Sequence, residues 1–216
     1  FSTIILGDQY TFGDSCWYLW RRGDGERRAL FGTPITERNA ETVVAPNGLG
    51  AAVMVDGTGL LFISSLFSDN YGLTWLSLDN PSEARQVQVH GTVHKGLGEM
   101  VDLKHGFGNR YALSYNIDGA SWVYTGTFDR ENLVFRIDRT LVGDGELAAG
   151  VVESIAADPF SNSAALSFST ATSPSRRTTK RVPTTDTVVS PACTRNARGR
   201  PGVTSKRAAP RARSSS

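Results

Sequence analysis

Aromatic residues are missing from the last 48 positions of this 216-residue chain: all 20 Phe, Trp and Tyr lie at or before Phe168. Acidic residues are almost as scarce there. Residues 174–216 hold eleven Lys or Arg and one acid, Asp186, whereas residues 1–173 hold 12 basic and 20 acidic side chains. The formal charge of +2 is therefore an average over an acidic body and a basic tail. A stretch dense in Arg, Ser, Thr, Pro and Ala buries too little apolar surface to offset its ordering entropy, so 174–216 reads as a disordered basic tail. Cysteine is scarce too. Cys16 and Cys193 lie in different compositional regimes, which argues against a disulfide framework, and their spacing offers no zinc site. No run of about 18 apolar residues occurs, which excludes a transmembrane helix. The chain starts at Phe1 rather than Met and carries no basic-then-apolar leader, so it reads as beginning within a longer protein or after processing. The compartment stays open, with reducing, cytoplasmic conditions the expectation.

What remains is one domain-sized body, residues 1–173. Short runs rich in β-branched and aromatic residues recur between Gly, Asp, Asn and Pro, at 3–6, 16–20, 50–55, 60–64, 73–78, 111–115, 122–127, 133–137, 151–156 and 164–169. None sustains an apolar i, i+3, i+4, i+7 stripe over three turns, so the body reads as all-β.

A repeat organises these runs: an apolar strand, an acidic or Asn/Gly turn, a glycine, then Trp near the start of the next strand. It occurs as Ile4-Ile5-Leu6, Gly13-Asp14 and Trp17; as Leu61-Phe62-Ile63, Asp69-Asn70, Gly72 and Trp75; and as Tyr111-Ala112-Leu113, Asn116, Asp118-Gly119 and Trp122. The Trp residues lie 58 and 47 positions apart, near the 40–50 of a four-stranded propeller blade. The rings are expected to cover the gaps between neighbouring sheets. Polar turns at residues 22–26, 79–83 and 129–132 lead into outer strands. A fourth unit opens at Ala164 but meets Arg176-Arg177-Thr178-Thr179-Lys180 where its aromatic should fall. The pattern predicts a partial β-propeller of about three four-stranded blades and part of a fourth. Because the repeat breaks where the composition changes, the tail reads as a reading-frame slip. The alternative is a natural basic tail that binds an acidic surface, and cations without interleaved aromatics make a poor nucleic-acid signature.

Three stretches resemble the N-terminal β-propeller of prolyl-oligopeptidase-type (S9) serine peptidases. Leu6-Gly7-Asp8-Gln9, Gly13-Asp14, Trp17-Tyr18-Leu19-Trp20 and Gly25-Glu26-Arg27-Arg28-Ala29-Leu30 are similar to that family's blade line. Asn116-Ile117-Asp118-Gly119 is similar to its N-x-D-G turn. Gly150-Val151-Val152 with Ala164-Ala165-Leu166-Ser167-Phe168-Ser169-Thr170-Ala171-Thr172-Ser173-Pro174 is similar to its late propeller. The resemblance implies a non-catalytic domain that filters peptide substrate above a separate α/β-hydrolase domain holding Ser, Asp and His. This chain has no G-x-S-x-G, and 43 residues after position 173 are too few for such a domain. No catalytic residue, cofactor or metal ligand is assigned, and the chain alone is expected to be inactive as a peptidase.

Other motifs point elsewhere. Ser68-Asp69-Asn70-Tyr71-Gly72-Leu73-Thr74-Trp75 fits the Asp-box turn of sialidase-type propellers, which leaves a glycosidase as an alternative beside a TolB-like binding scaffold. Asp14, Asp69 and Asp118 occupy equivalent turns and read as local caps rather than paired glycosidase carboxylates. His90 and His94 have metal-ligand spacing, but the glycines around them argue against a helix. With His105 they read as solvated loop side chains. Gly13-Asp14-Ser15 matches a lipase nucleophile block by chance.

Overall fold

The structure, a computed structural model, describes residues 2–106, 108–158, 163–171 and 173–181. Fifteen strands form four sheets among the described residues, antiparallel but for one parallel pair, with two single-turn 3-10 helices and no α-helix. The first sheet holds β1 (Thr3–Thr11), β2 (Asp14–Arg21) and β3 (Arg28–Phe31) in that order. The second holds β4 (Leu49–Val55), β5 (Gly59–Ser64), β6 (Gly72–Ser77) and β7 (Ala84–Gln86). A short strand, β8 (Gln88–His90), precedes the third sheet, which holds β9 (Gly98–His105), β10 (Arg110–Ile117), β11 (Ala120–Asp129) and β12 (Val134–Val142). There β8 adds to the outer edge, parallel to β12, with Gln88 opposite Val134. The fourth sheet holds β13 (Val151–Asp158), β14 (Ser163–Thr170) and β15 (Ser173–Arg181).

These sheets are the blades of a partial propeller. Each successive pair of blades encloses its own apolar core. Trp17, Leu19 and Leu30 of the first meet Leu60, Phe62 and Leu76 of the second. On the opposite face of the second blade, Leu61, Ile63 and Trp75 meet Leu103, Tyr111, Phe128 and Phe135 of the third. Val123, Leu141 and Val142 then meet Ala164, Leu166 and Phe168 of the fourth. Strand β5 is buried along all six residues because both of its faces carry core, as a strand between two packed layers requires.

The ten strand runs expected from the sequence all fall on observed strands, to within one residue at Leu78 and Leu133. Two of the three repeat Trp residues fill gaps between blades. Trp17 meets Phe62 edge-on at 4.7 Å between centroids, and Trp75 meets Phe128 at 5.5 Å. Trp122 does not follow. It pairs with Tyr115, and its neighbour Val123 faces the fourth blade in its place. The Asp118-Gly119 turn is two residues long whereas the β5–β6 loop spans 65–71, and a one-residue change of phase along a strand reverses the faces.

The boundary expected at residue 173 also needs correction, because β15 runs to Arg181, paired with β14 from Thr170↔Ser173 to Ser163↔Arg181. Backbone ladders need no large apolar side chains, and a cationic strand at a sheet edge discourages further pairing. The rest of the expected tail, 182–216 with Cys193, lies outside the described residues.

Candidate functional site

The turn acids do not converge. Asp14 opens β2 and forms a two-pronged ion pair with Arg38 (2.5 and 2.8 Å), whose guanidinium also donates to the Thr33 carbonyl and lies 4.8 Å from the Tyr10 ring. The Arg38 hydrogen bonds hold the Asp14 carboxyl below the usual carboxylate range. Asp14 therefore ties down a loop 24 residues away rather than capping its own turn. Asp69 is exposed in the β5–β6 loop. Asp118 accepts the Leu97 N–H at 3.4 Å. These acids sit on three different blades, and a glycosidase pair does not form from them.

Within the Asp-box stretch, the Ser68 hydroxyl accepts the Asn70 N–H, and the Ser68 carbonyl accepts the Tyr71 N–H. That is turn-building chemistry. Ser15 of the lipase-like triplet is buried, and its backbone N–H and C=O are both bound by the Asn47 side-chain amide, at 2.8 and 2.9 Å. Asn47 thus stands in for a strand partner. The turn signal Pro46-Asn47-Gly48 marked a bend there but carried nothing about the long-range bond. Cys16 is buried and free, with burial raising its thiol pKa.

The histidines also separate. His90 lies in β8, and His105 Nε2 contacts the Gly108 carbonyl at 2.7 Å. No cluster of metal-ligating side chains occurs among the described residues. His94 corrects the expectation of a solvated loop residue. It sits midway along the 91–97 connection that crosses from β8 at the blade's outer edge to β9 at its inner edge. Its ring packs on Tyr115 (4.8 Å), Tyr124 (5.7 Å) and Trp122 (5.8 Å), with Nδ1 2.8 Å from the Tyr124 hydroxyl. The Tyr124 oxygen also accepts the His94 backbone N–H. The alternation of Trp122 and Tyr124 on β11 was the available signal, but it could not show which loop would cover it. Gly96 fixes the far end, with φ of +114° and Asp118 Oδ2 only 2.1 Å from where a Cβ would lie.

Burial lowers the His94 pKa from its ordinary value. The unfolded chain then binds the proton more readily, so His94 contributes its stability above about pH 6.5 and loses it as pH falls through the lowered native value. Urea midpoints are expected to drop between about pH 7.5 and pH 5, with a shallower drop in His94→Asn. Tyr115 and Tyr124, both raised by burial, stay neutral across that window.

Two of the concave features among the described residues lie along the inner strands. A cavity of about 240 Å³ is bordered by Gln9, Phe12, Leu49, Gly50, Tyr71 and Val101. A second, of about 290 Å³, is bordered by Asn70, Asn116 and Asp118. Glu99 borders both, a carboxylate that attracts cationic groups to the inner edges of the second and third blades.

Neither a family model nor a curated protein matches the sequence. Solved structures do match the fold. A prolyl endopeptidase aligns with TM-score 0.61 at 12% identity, over 84% of this chain and 23% of its own. The fold is a partial β-propeller, similar to part of a prolyl oligopeptidase. Oligopeptidase B from Trypanosoma brucei, solved with covalently bound antipain, aligns with TM-score 0.57 at 14% identity, over 84% of this chain and 24% of that one. Prolyl oligopeptidase B from Galerina marginata, bound to a 35mer hydrolysis and macrocyclization substrate, aligns with TM-score 0.58 at 11% identity, over 84% and 23%. The chain spans about a quarter of the length of these relatives. No helix among the described residues is long and apolar enough to cross a membrane.

Proposed function

We propose that this chain is a non-catalytic, substrate-gating propeller segment of a prolyl oligopeptidase-like serine peptidase. The observation that carries the reading is the alignment of 84% of the chain with about a quarter of a prolyl endopeptidase, together with the lack of a nucleophile elbow anywhere in its sequence. In such an enzyme the blades would admit short or unfolded peptides to a Ser-His-Asp site on an α/β-hydrolase domain, which is the partner this reading requires. The inner-edge cavities beside Glu99 give the segment a surface that peptide would pass. The residues from 174 onward belong to this reading as a shifted frame that interrupts the message.

Two measurements test it. The purified chain is expected to leave fluorogenic prolyl and dipeptidyl substrates uncleaved and to resist labelling by a fluorophosphonate probe. Turnover sensitive to a serine inhibitor would overturn that. Sequencing the gene across codons 170–216 and beyond is expected to reveal G-x-S-x-G in an alternative frame. A downstream sequence without it in any frame favours the TolB-like binding scaffold instead.

A further inference from the structure

Strand β3 leaves the side of β2 early. Its ladder ends where Trp17 pairs with Phe31, and at Gly32, with φ of +84°, the chain turns away. Ser15, two residues further along β2, is buried and has no strand partner on that side. A buried N–H and C=O must be satisfied elsewhere. The Asn47 side chain serves both: its Oδ1 accepts the Ser15 N–H at 2.8 Å and its Nδ2 donates to the Ser15 carbonyl at 2.9 Å. The Asn47 backbone N–H donates to the Gly13 carbonyl at 2.8 Å, in the same blade. Gly48 is tied to the second blade instead. Its N–H donates to Ser65 Oγ at 2.9 Å, and its carbonyl accepts the Ser65 N–H at 2.9 Å. Residues 47 and 48 thus latch the first blade to the β5–β6 loop of the second.

Neither residue of the latch is easily replaced. Position 47 needs an acceptor and a donor on one short arm, which is a side-chain amide. A Cβ at position 48 would lie 2.8 Å from both Ser65 Oγ and the Tyr71 hydroxyl. The fold therefore calls for Asn followed by Gly, the one such pair in the sequence. That pair is chemically fragile. Asn is thermolabile, and a following Gly leaves the next backbone nitrogen unhindered, free to attack the side-chain amide. In the latch both reacting groups are held. Asn47 Cγ is bound to the first blade through its oxygen and its nitrogen, while the Gly48 nitrogen keeps its proton on Ser65 of the second. Asn47 is only 5% exposed, which limits access of base and water.

We propose that Asn47-Gly48 is a self-modification site: the closed latch guards it against deamidation, and its conversion permanently frees the first blade from the second. When the latch opens locally, a solvent base takes the Gly48 N–H proton and the nitrogen attacks Asn47 Cγ. The N–Cγ bond forms, the Cγ–Nδ2 bond breaks, and the leaving nitrogen takes up a proton and departs as ammonia. Water then opens the succinimide ring at either carbonyl, giving aspartate or isoaspartate with no change of oxidation state. Aspartate sets a carboxylate oxygen where Nδ2 met the Ser15 carbonyl, two acceptors with no donor between them. Isoaspartate also lengthens the main chain by a methylene, which carries Gly48 out of register with Ser65. Either product leaves buried polar groups unpaired, so the latch does not close again. The site requires only the first two blades and does not depend on the peptidase reading.

The full 216-residue chain is incubated at mildly alkaline pH, folded and in guanidinium chloride, and peptide mapping by mass spectrometry follows residue 47. Enzymatic methylation of isoaspartate identifies that product. Conversion in the folded chain is expected to run at least about tenfold slower than in denaturant, because only the open fraction reacts. Ser65→Ala frees the Gly48 N–H and leaves the Ser15 bonds in place. It is expected to convert several-fold faster than the parent when folded, and at the parent rate in denaturant. The fraction converted at Asn47 alone, separated by anion exchange, is expected to show a lower urea midpoint than unconverted chain from the same incubation. That comparison needs no variant to fold. Equal rates in the folded and denatured chain, a Ser65→Ala chain no faster than the parent, or an unshifted midpoint overturns the proposal.

Discussion

Trp75→Ala is expected to lower the unfolding free energy by about 4 kcal/mol, the scale for truncating a large aromatic in a packed core. Trp75 is 2% exposed and lies at the centre of the core between the second and third blades, against Phe128. Its removal opens a cavity between two rigid sheets that cannot collapse independently, because β5 and β6 carry core on both faces. Urea unfolding followed by far-UV circular dichroism measures the loss without relying on the deleted fluorophore. Trp122→Ala, by contrast, is expected to cost under half as much. Its ring is partly exposed and lies among Tyr124, His94 and Gly143 rather than between blades. Equal costs for the two substitutions would refute the distinction between them.

Gly59→Ala is the second large effect, expected at about 3 kcal/mol, the upper range for forcing atoms into a filled core. A Cβ at Gly59 would lie 2.4 Å from the Trp75 indole and 2.6 Å from the Leu76 carbonyl oxygen. The first clash could be relieved by moving a side chain. The second is with backbone in the adjacent strand and cannot be. A double-mutant cycle separates them. In a Trp75→Ala background the Gly59→Ala penalty is expected to shrink to about 1 kcal/mol, leaving the backbone part. A penalty unchanged in that background would mean the indole does not depend on the missing Cβ.

The sequence was most legible where burial imposed a pattern. β2, β5, β6, β10 and β11 carry Leu, Ile, Val and aromatics because they face core, and the repeat marks them. The strands that escaped were those whose stability comes from neighbours. β9 breaks strict alternation, with Met100 beside Val101 in Gly98-Glu99-Met100-Val101-Asp102-Leu103, where its ladder with β10 carries a bulge. β7 and β8 are three residues long and hold no periodicity. β15 has no large apolar residue in its sequence and reads as tail. The site-level features were less visible still. Asn47 bonds Ser15 across 32 positions, Arg38 reaches Asp14 across 24, and His94 meets Tyr124 across 30. Composition carries no trace of such pairings, which depend on where the blades bring their loops. Asp14 illustrates the limit: its place in the repeat was correct, but its partner lay on another loop.

The parallel pairing of β8 with β12 imposes an order on self-assembly. Almost every other strand pairs with its sequence neighbour, across turns that close with little entropic cost, so each blade can form from local hairpins. β8 precedes β9 in the chain yet rests on β12, with Phe135 opposite Val89. It cannot dock until β9 through β12 have emerged and zipped together. Its three residues then act as a clasp: they tether the connection between the second and third blades to the rim of a finished sheet. During synthesis, the second blade can therefore form early, but its link to the third becomes fixed only after the third is complete.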